Sequence, residues 1–246
     1  MTPYQVVRSK LDKTRVLQRD PEIGRHIPET VAYSPDNLAK MLAKHSGVFI
    51  KPDVGRKGNK IIYVAMDKKR RCLIHYDTRV QKGVPLPDAV HMVNRLITSQ
   101  RYLIQQAIRL LQIDNVPFDL RINVQKPYSK WIATTSSARM RAPGKVVTNY
   151  AQGGTVLRTA EALEKAGLNR LQSQIILGRL KRLGEATAAV LSRKYPGLRE
   201  LGLDVGLDQD LKPWIFEVNT MPQCPPGDKV FQYYRRIIIA NSLLKS

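Results

Sequence analysis

The sequence predicts an α+β fold. Short apolar segments such as VFIKP, KIIYVAM and CLIHYD have the length of strands and follow one another through glycine-rich or charged turns. Amphipathic helical stretches interleave with them, and the adjacent hairpins argue against a purely parallel sheet. With 43% hydrophobic and 25% charged residues in 246, the composition is that of a globular chain and excludes wholesale disorder.

The elements follow in order. Residues 1–45 read as helical pieces broken around Pro21 and Pro28, with Ser34-Pro35-Asp36 as a helix start before NLAKMLAKH. Three strands come next. The basic run Lys68-Lys69-Arg70-Arg71 caps the hairpin between the second and third. A helix fits Leu86 to Thr98, with Ala89, Met92, Val93 and Leu96 on one face. RYLIQQAI, FDLRINVQ and KWIATTSS return to strands, and APGKVVTNYAQGGT is rich in loop formers. One long amphipathic pattern covers about Thr159 to Arg193, its apolar positions including Leu171, Ile175, Leu180, Leu183 and Val190. ELGLDVGLD and PWIFEVNT read as two strands, and a final helix starts near Lys229.

Several classes are excluded at this level. No apolar run approaches the 18 or so residues of a bilayer span, and the charged amino-terminal segment is no secretory signal, so a cytoplasmic protein without a membrane partner is expected. Cys72 and Cys224 cannot form a disulfide framework, and His26, His45, His75 and His91 lack metal-ligand spacing. The net charge of +21 points to anionic partners. Without a nucleic-acid-reading motif or an aromatic stacking run, a specific nucleic-acid partner is not expected.

Two segments carry chemistry. In VFIKPDVGRKGNKIIYV an apolar strand delivers Lys51, and Gly55 and Gly58 bracket the turn that follows. Glycines let backbone amides approach phosphate oxygens, and a lysine adds a fixed positive charge. No Gly-Lys-Ser/Thr follows, so this is not a Walker A loop, and an ordinary glycine hairpin is the competing reading. In GLDVGLDQDLKPWIFEVNT, Asp204 and Glu217 can lie side by side across a hairpin. Glu217 and Asn219, two apart, share a strand face. Such an oxygen-rich set suits Mg²⁺ bridging to phosphates. Asp208 and Asp210 read as turn residues.

These motifs, in this order, resemble the ATP-grasp superfamily, and within it the YheC/YheD-like branch associated with endospore coats. The resemblance spans nearly the whole chain. It implies a two-lobed fold in one domain, 1–246, with nucleotide between an antiparallel sheet lobe at 46–108 and a larger lobe at 1–45 and 109–246 that carries the metal site. LDKTRVLQRD is similar to the opening lysine motif, which implies that Lys13 and then Lys51 meet the nucleotide. YLIQQAI resembles the connecting segment that faces adenine, implying contacts at Gln105, Gln106, Ala107 and Ile108. FDLRINV resembles the FD-x-R strand of ribosomal-protein glutamate ligases and tubulin-tyrosine-ligase-like enzymes, which assigns Asp119 to the nucleoside and Arg121 to the phosphates. ARMRAPGKVVTNYAQGG looks like their arginine, asparagine and double-glycine stretch. Counting back from Asn149, which would be nucleotide-binding, places Arg139 rather than Arg141 on the arginine, although Arg141 points the same way by alternation. EVNTMPQ with Asp204 upstream is similar to the magnesium triad Asp204, Glu217 and Asn219.

The resemblance implies ATP and Mg²⁺ as cofactors and an ATP-dependent carboxylate–amine or peptide ligase acting through an acylphosphate on an anionic carboxylate or peptide substrate. Two features depart from the pattern. The α/β domain that usually precedes such a lysine is expected to be missing ahead of Lys13, so a partner protein completing the acceptor site is one expectation and a catalytically silent nucleotide-binding coat protein is the alternative. Gln106 also stands where related ligases often carry an acidic residue.

Overall fold

The structure, a computed structural model, describes residues 4–55, 60–97, 100–140, 155–224 and 227–243. Two antiparallel sheets, each with its own helices and core, account for nearly all of it.

The first sheet contains β1 (Thr30–Ala32), β2 (Gly47–Pro52), β3 (Ile62–Met66), β4 (Arg71–Tyr76), β5 (Arg79–Pro85) and β6 (Tyr102–Gln106), in the order β1-β6-β2-β3-β4-β5. Alternation in β2–β4 turns Val48, Ile50, Ile62, Val64, Cys72 and Ile74 inward. They meet α2 (Pro35–Lys44) and α3 (Leu86–Leu96). Ser34 caps α2 by accepting from the Asn37 amide at 3.1 Å. Leu38, Met41 and Leu42 of α2 are buried in this core, and β1 pairs with β6 at Leu103–Gln105. This layer therefore begins near residue 30, ahead of the division at 46 that the sequence suggested. The strand β1, placed in a helical region by sequence, has only three residues and no alternation to reveal it. Nor does β5 announce itself: Arg79 to Gly83 are exposed, and this edge strand is held by its ladder to β4 and by Val84, which packs on the first core.

The second sheet runs β10-β9-β8-β11-β12, from β8 (Val116–Gln125), β9 (Ile132–Met140), β10 (Val156–Arg158), β11 (Glu200–Leu207) and β12 (Pro213–Asn219), with β7 (Gln112–Ile113) paired to β8. Phe118, Leu120, Ile122 and Val124 of β8 face the core under α5 (Arg170–Lys194), so the alternate residues Asp119, Arg121, Asn123 and Gln125 occupy the opposite face. The helix that sequence periodicity ran through from Thr159 is two helices. α4 (Thr159–Lys165) stops where Gly167 takes φ +96°, and Asn169 restarts the chain with a capping box to Gln172. Of the apolar positions read from sequence, Leu180, Leu183 and Val190 are buried as expected, but Leu171 and Ile175 are exposed, and Ile176, Thr187 and Leu191 complete the buried stripe. Gly184 explains the close docking, since a Cβ there would lie 2.9 Å from Val124 Cγ2. α1 (Lys10–Gln18) packs against α5, and α6 (Lys229–Leu243) ends the described chain. Among the described residues no helix is long and apolar enough to cross a membrane.

Candidate nucleotide and metal site

Strand pairing assembles the site on the face of the second sheet opposite α5. β11 and β12 align Asp204 with Glu217 and Gly202 with Asn219, and β8 brings Arg121 opposite Asp204 on the other side. β9 aligns Arg139 with Asp119. Asp208 serves the turn, as read from sequence: its carboxylate accepts from the amides of Asp210 and Lys212 and from Trp214 Nε1.

The charges interlock. Arg139 Nε donates to Asp119 Oδ1 at 2.7 Å, and its terminal nitrogen lies 2.9 Å from Asp204 Oδ1. A terminal nitrogen of Arg121 reaches the same oxygen at 3.0 Å. Burial works against the charge on Arg139, but the carboxylates of Asp204 and Asp119 outweigh it and push its pKa up. Asp204 Oδ1 is nevertheless a buried acceptor with no aligned hydrogen bond among the described residues, because the guanidinium contacts are close without being well directed. With its amide oriented to suit its neighbours, Asn219 donates to Glu217 Oε1 at 3.1 Å and accepts from Arg121 at 3.2 Å. Asp204, Glu217 and Asn219 thus offer oxygen donors together with an incompletely bonded carboxylate oxygen, which fits a hard divalent cation such as Mg²⁺.

Lys51 comes across from the first sheet. Its ammonium donates to Gln105 Oε1 at 2.6 Å and stands 5.5 Å and 5.9 Å from the ring centres of Phe49 and Phe216. Burial lowers its pKa to about 8, against the pull of Glu217. Gln105, buried, extends the link: its Nε2 donates to Thr30 Oγ1 at 3.2 Å and to the Phe216 carbonyl at 3.3 Å, which ties the two layers together at the site. The other expected adenine contacts are engaged locally. The Gln106 amide donates to Glu29 O and the Ala107 amide to Gly47 O, so any base contact by those amides would compete with the sheet; Ile108 follows directly.

The first lysine motif brings two lysines, Lys13 and Lys10, under the influence of Glu217. Lys13 is buried and donates to Val7 O at 2.7 Å; burial brings its pKa to about 8. Lys10, one turn earlier, also reaches the cleft, donating to Gly55 O at 2.9 Å with Glu217 Oε1 at 3.5 Å. The signal for Lys10 was the N-cap: Ser9 accepts from the Asp12 amide, which makes Lys10 the first helical residue, beside the turn that holds Gly55. Gly58, Arg141, Asn149 and the pair Gly153-Gly154 lie outside the described residues.

This two-layer architecture, with Lys51 of the first sheet facing acidic residues of the second, is an ATP-grasp fold. The solved structure of D-alanyl-alanine synthetase A from Vibrio cholerae matches 89% of this chain and 61% of its own with a TM-score of 0.55 at 13% identity. N5-carboxyaminoimidazole synthase from Aspergillus clavatus, solved with ADP and 5-aminoimidazole ribonucleotide, matches 96% of this chain and 52% of its own with a TM-score of 0.58 at 10% identity. The chain belongs to the YheC/D-like ATP-grasp family, whose model matches residues 3–243. It is 24% identical over 232 residues to the endospore coat-associated protein YheD of Bacillus subtilis, covering 92% of this chain and 49% of that protein. Its identity to YheC of the same organism is 22%, over 84% of this chain and 57% of that protein. The chain therefore spans about half the length of these curated relatives.

Proposed function

We propose that the chain is an ATP- and Mg²⁺-dependent ligase that joins a carboxylate to an amine or peptide amino group through an acylphosphate. The carrying observation is the convergence of Lys10, Lys51, Arg121 and Arg139 on one face with Asp204, Glu217 and Asn219. Lys10 and Lys51 approach from the side of the glycine-bearing turn, where they can neutralise phosphate oxygens. Arg121 and Arg139 stand over the carboxylates, where a planar donor fork can hold the transferring phosphoryl group. Asp204, Glu217 and Asn219 would hold Mg²⁺, whose contribution when bound is to neutralise charge on the phosphates.

The reaction then runs in two displacements. A substrate carboxylate oxygen attacks the γ-phosphorus, the bond to the β-phosphate oxygen breaks, and ADP leaves an acylphosphate behind. The amine attacks the acyl carbon, loses a proton, and expels phosphate as the amide forms. The chain's cations hold the anionic groups in line throughout, and no protein nucleophile is needed.

Thermal unfolding with and without Mg-ATP, on the wild type and on Glu217→Ala, tests the site. At about 100 times the dissociation constant, bound nucleotide adds roughly 2.7 kcal/mol. For a chain of this length that raises the midpoint by about 5–10 °C. The shift should require Mg²⁺ and vanish in the variant. Hydroxylamine trapping of the acylphosphate, across a panel of carboxylates, tests the chemistry. The names of the curated relatives support a second reading, a nucleotide-binding coat component without turnover. An Mg-ATP shift without hydroxamate formation on any carboxylate would favour it.

A further inference from the structure

Each candidate metal carboxylate already has a cation beside it, and the two principal contacts share a pattern. Arg139 makes its directed hydrogen bond through Nε to Asp119 at 2.7 Å, while its other end lies 2.9 Å from Asp204 Oδ1 without forming an aligned bond. Lys10 makes its directed hydrogen bond to the Gly55 carbonyl at 2.9 Å and stands 3.5 Å from Glu217 Oε1. In both cases a directed hydrogen bond lies elsewhere and the contact with the carboxylate is ionic, close at Arg139 and longer at Lys10. Both side chains are largely shielded, 12% exposed each, so their charges are felt strongly.

We propose that Arg139 and Lys10 are built-in counter-ions of the cation site. In the ligand-free chain they hold Asp204 and Glu217 until a polyphosphate draws them away, so that divalent-cation binding waits on phosphate binding. This rests on the metal site proposed above. The chemistry requires only an exchange of partners: positive groups that stabilise the carboxylates move to phosphate oxygens, which they bind more strongly in directed, charge-assisted geometry, and a divalent cation takes their place. Arg139 can pivot about its Asp119 bond, and Lys10 about its bond at Gly55. The arrangement keeps a cluster of carboxylates neutralised in the absence of nucleotide, and it disfavours capture of a metal ion before the substrate that needs it. Arg139 and Lys10 act here as positioning residues for the cation, and the sign of the expected effect separates this role from mere support of the fold.

The test is Mn²⁺ binding to the full nucleotide-free chain, followed by electron paramagnetic resonance, in the wild type, Arg139→Gln and Lys10→Gln. Removing either counter-ion should tighten Mn²⁺ binding about tenfold, within the usual range of coupling between sites. Residues that only support the site would give weaker binding when replaced. Lys10→Gln leaves the Arg139–Asp119 pair intact and keeps the proposal testable if Arg139→Gln fails to fold. Unchanged or weaker Mn²⁺ binding in folded Lys10→Gln overturns the proposal. The site reading itself stands if Mg-ATP still stabilises the wild type and not Glu217→Ala, and it falls with the proposal if that difference is absent as well.

Discussion

Two carboxylates in this chain, Asp53 and Asp204, lie in ion clusters of opposite character. Asp53 is saturated. It accepts from Ser9 Oγ at 3.0 Å, from the Leu11 amide at 2.7 Å and from Arg101 Nε at 2.8 Å, with a second Arg101 contact to the same carboxylate. Asp204 has two guanidinium groups within 3.0 Å of one oxygen and no aligned hydrogen bond on it. A saturated cluster holds structure together: Asp53 staples the start of α1 to the end of β2. A crowded one whose oxygen lacks an aligned hydrogen bond leaves bonding capacity for a ligand.

Breaking the saturated cluster should have the largest effect. Asp53→Ala leaves the buried Leu11 amide and the Ser9 hydroxyl without their acceptor, while Arg101, half exposed, can turn to water. Denaturant unfolding should show a loss of about 3 kcal/mol. The acid limb offers a check on sign. Burial alone would raise the pKa of Asp53, but hydrogen bonds from Leu11, Arg101 and Ser9 outweigh it and hold the pKa below the usual value. Its stabilisation is therefore complete above the unfolded pKa, near 4, and is lost as pH falls through the lower folded value; the variant should lack that part of the acid response.

Removing a cation from the crowded cluster should act in the opposite direction. Lys51, with its pKa lowered from 10.5 to about 8, is disfavoured as an ammonium in the folded chain. Lys51→Met should stabilise the ligand-free protein at pH 7 by about 1–3 kcal/mol and abolish the Mg-ATP shift. The folded pKa lies below the unfolded one, so between them the unfolded chain binds more protons and stability rises with pH. Wild-type stability should therefore climb from pH 8 to 10. About half of that rise should survive in the variant, because Lys13 carries a similar shift.

The same contrast explains what could be read from sequence. Asp204, Glu217 and Asn219 were legible because one hairpin and strand alternation place them, and both are local. Lys51, at the end of an alternating strand, was legible for the same reason. The arginines' partners were not. Arg121 reads as a neighbour of Asp119 on its own strand, yet it pairs with Asp204, because β8 lies between β9 and β11, and that strand order is set by long-range packing. Lys13 and Lys10 lie one helical turn apart, and only the docking of α1 gives Lys10 the Gly55 carbonyl and Lys13 the backbone of Val7, with Glu217 acting on both. The Asp53 staple joins residues far apart in sequence through side chains that no motif singles out.

Two glycines sharpen the comparison at the smallest scale. At Gly202 a Cβ would lie 2.5 Å from the Arg121 guanidinium, 2.9 Å from Pro222 Cβ and 3.3 Å from Asn123 Oδ1. The arginine end can yield but the Pro222 ring must shift, so Gly202→Ala should cost about 1–3 kcal/mol of stability. The yielding group is the one proposed to hold phosphate, however, so the Mg-ATP shift should fall sharply. At Gly184 a Cβ would meet Val124 Cγ2 at 2.9 Å and Ile122 Cγ2 at 3.3 Å, on the other face of the same sheet. Overpacking there is offset in part by the helix propensity of alanine, giving a net cost of about 1 kcal/mol. Modest losses in unfolding free energy in both variants, with the Mg-ATP shift lost only in Gly202→Ala, would separate the ligand-binding face of this sheet from its structural one. Equal Mg-ATP shifts in the two variants would show that Arg121 does not need its present position for nucleotide binding.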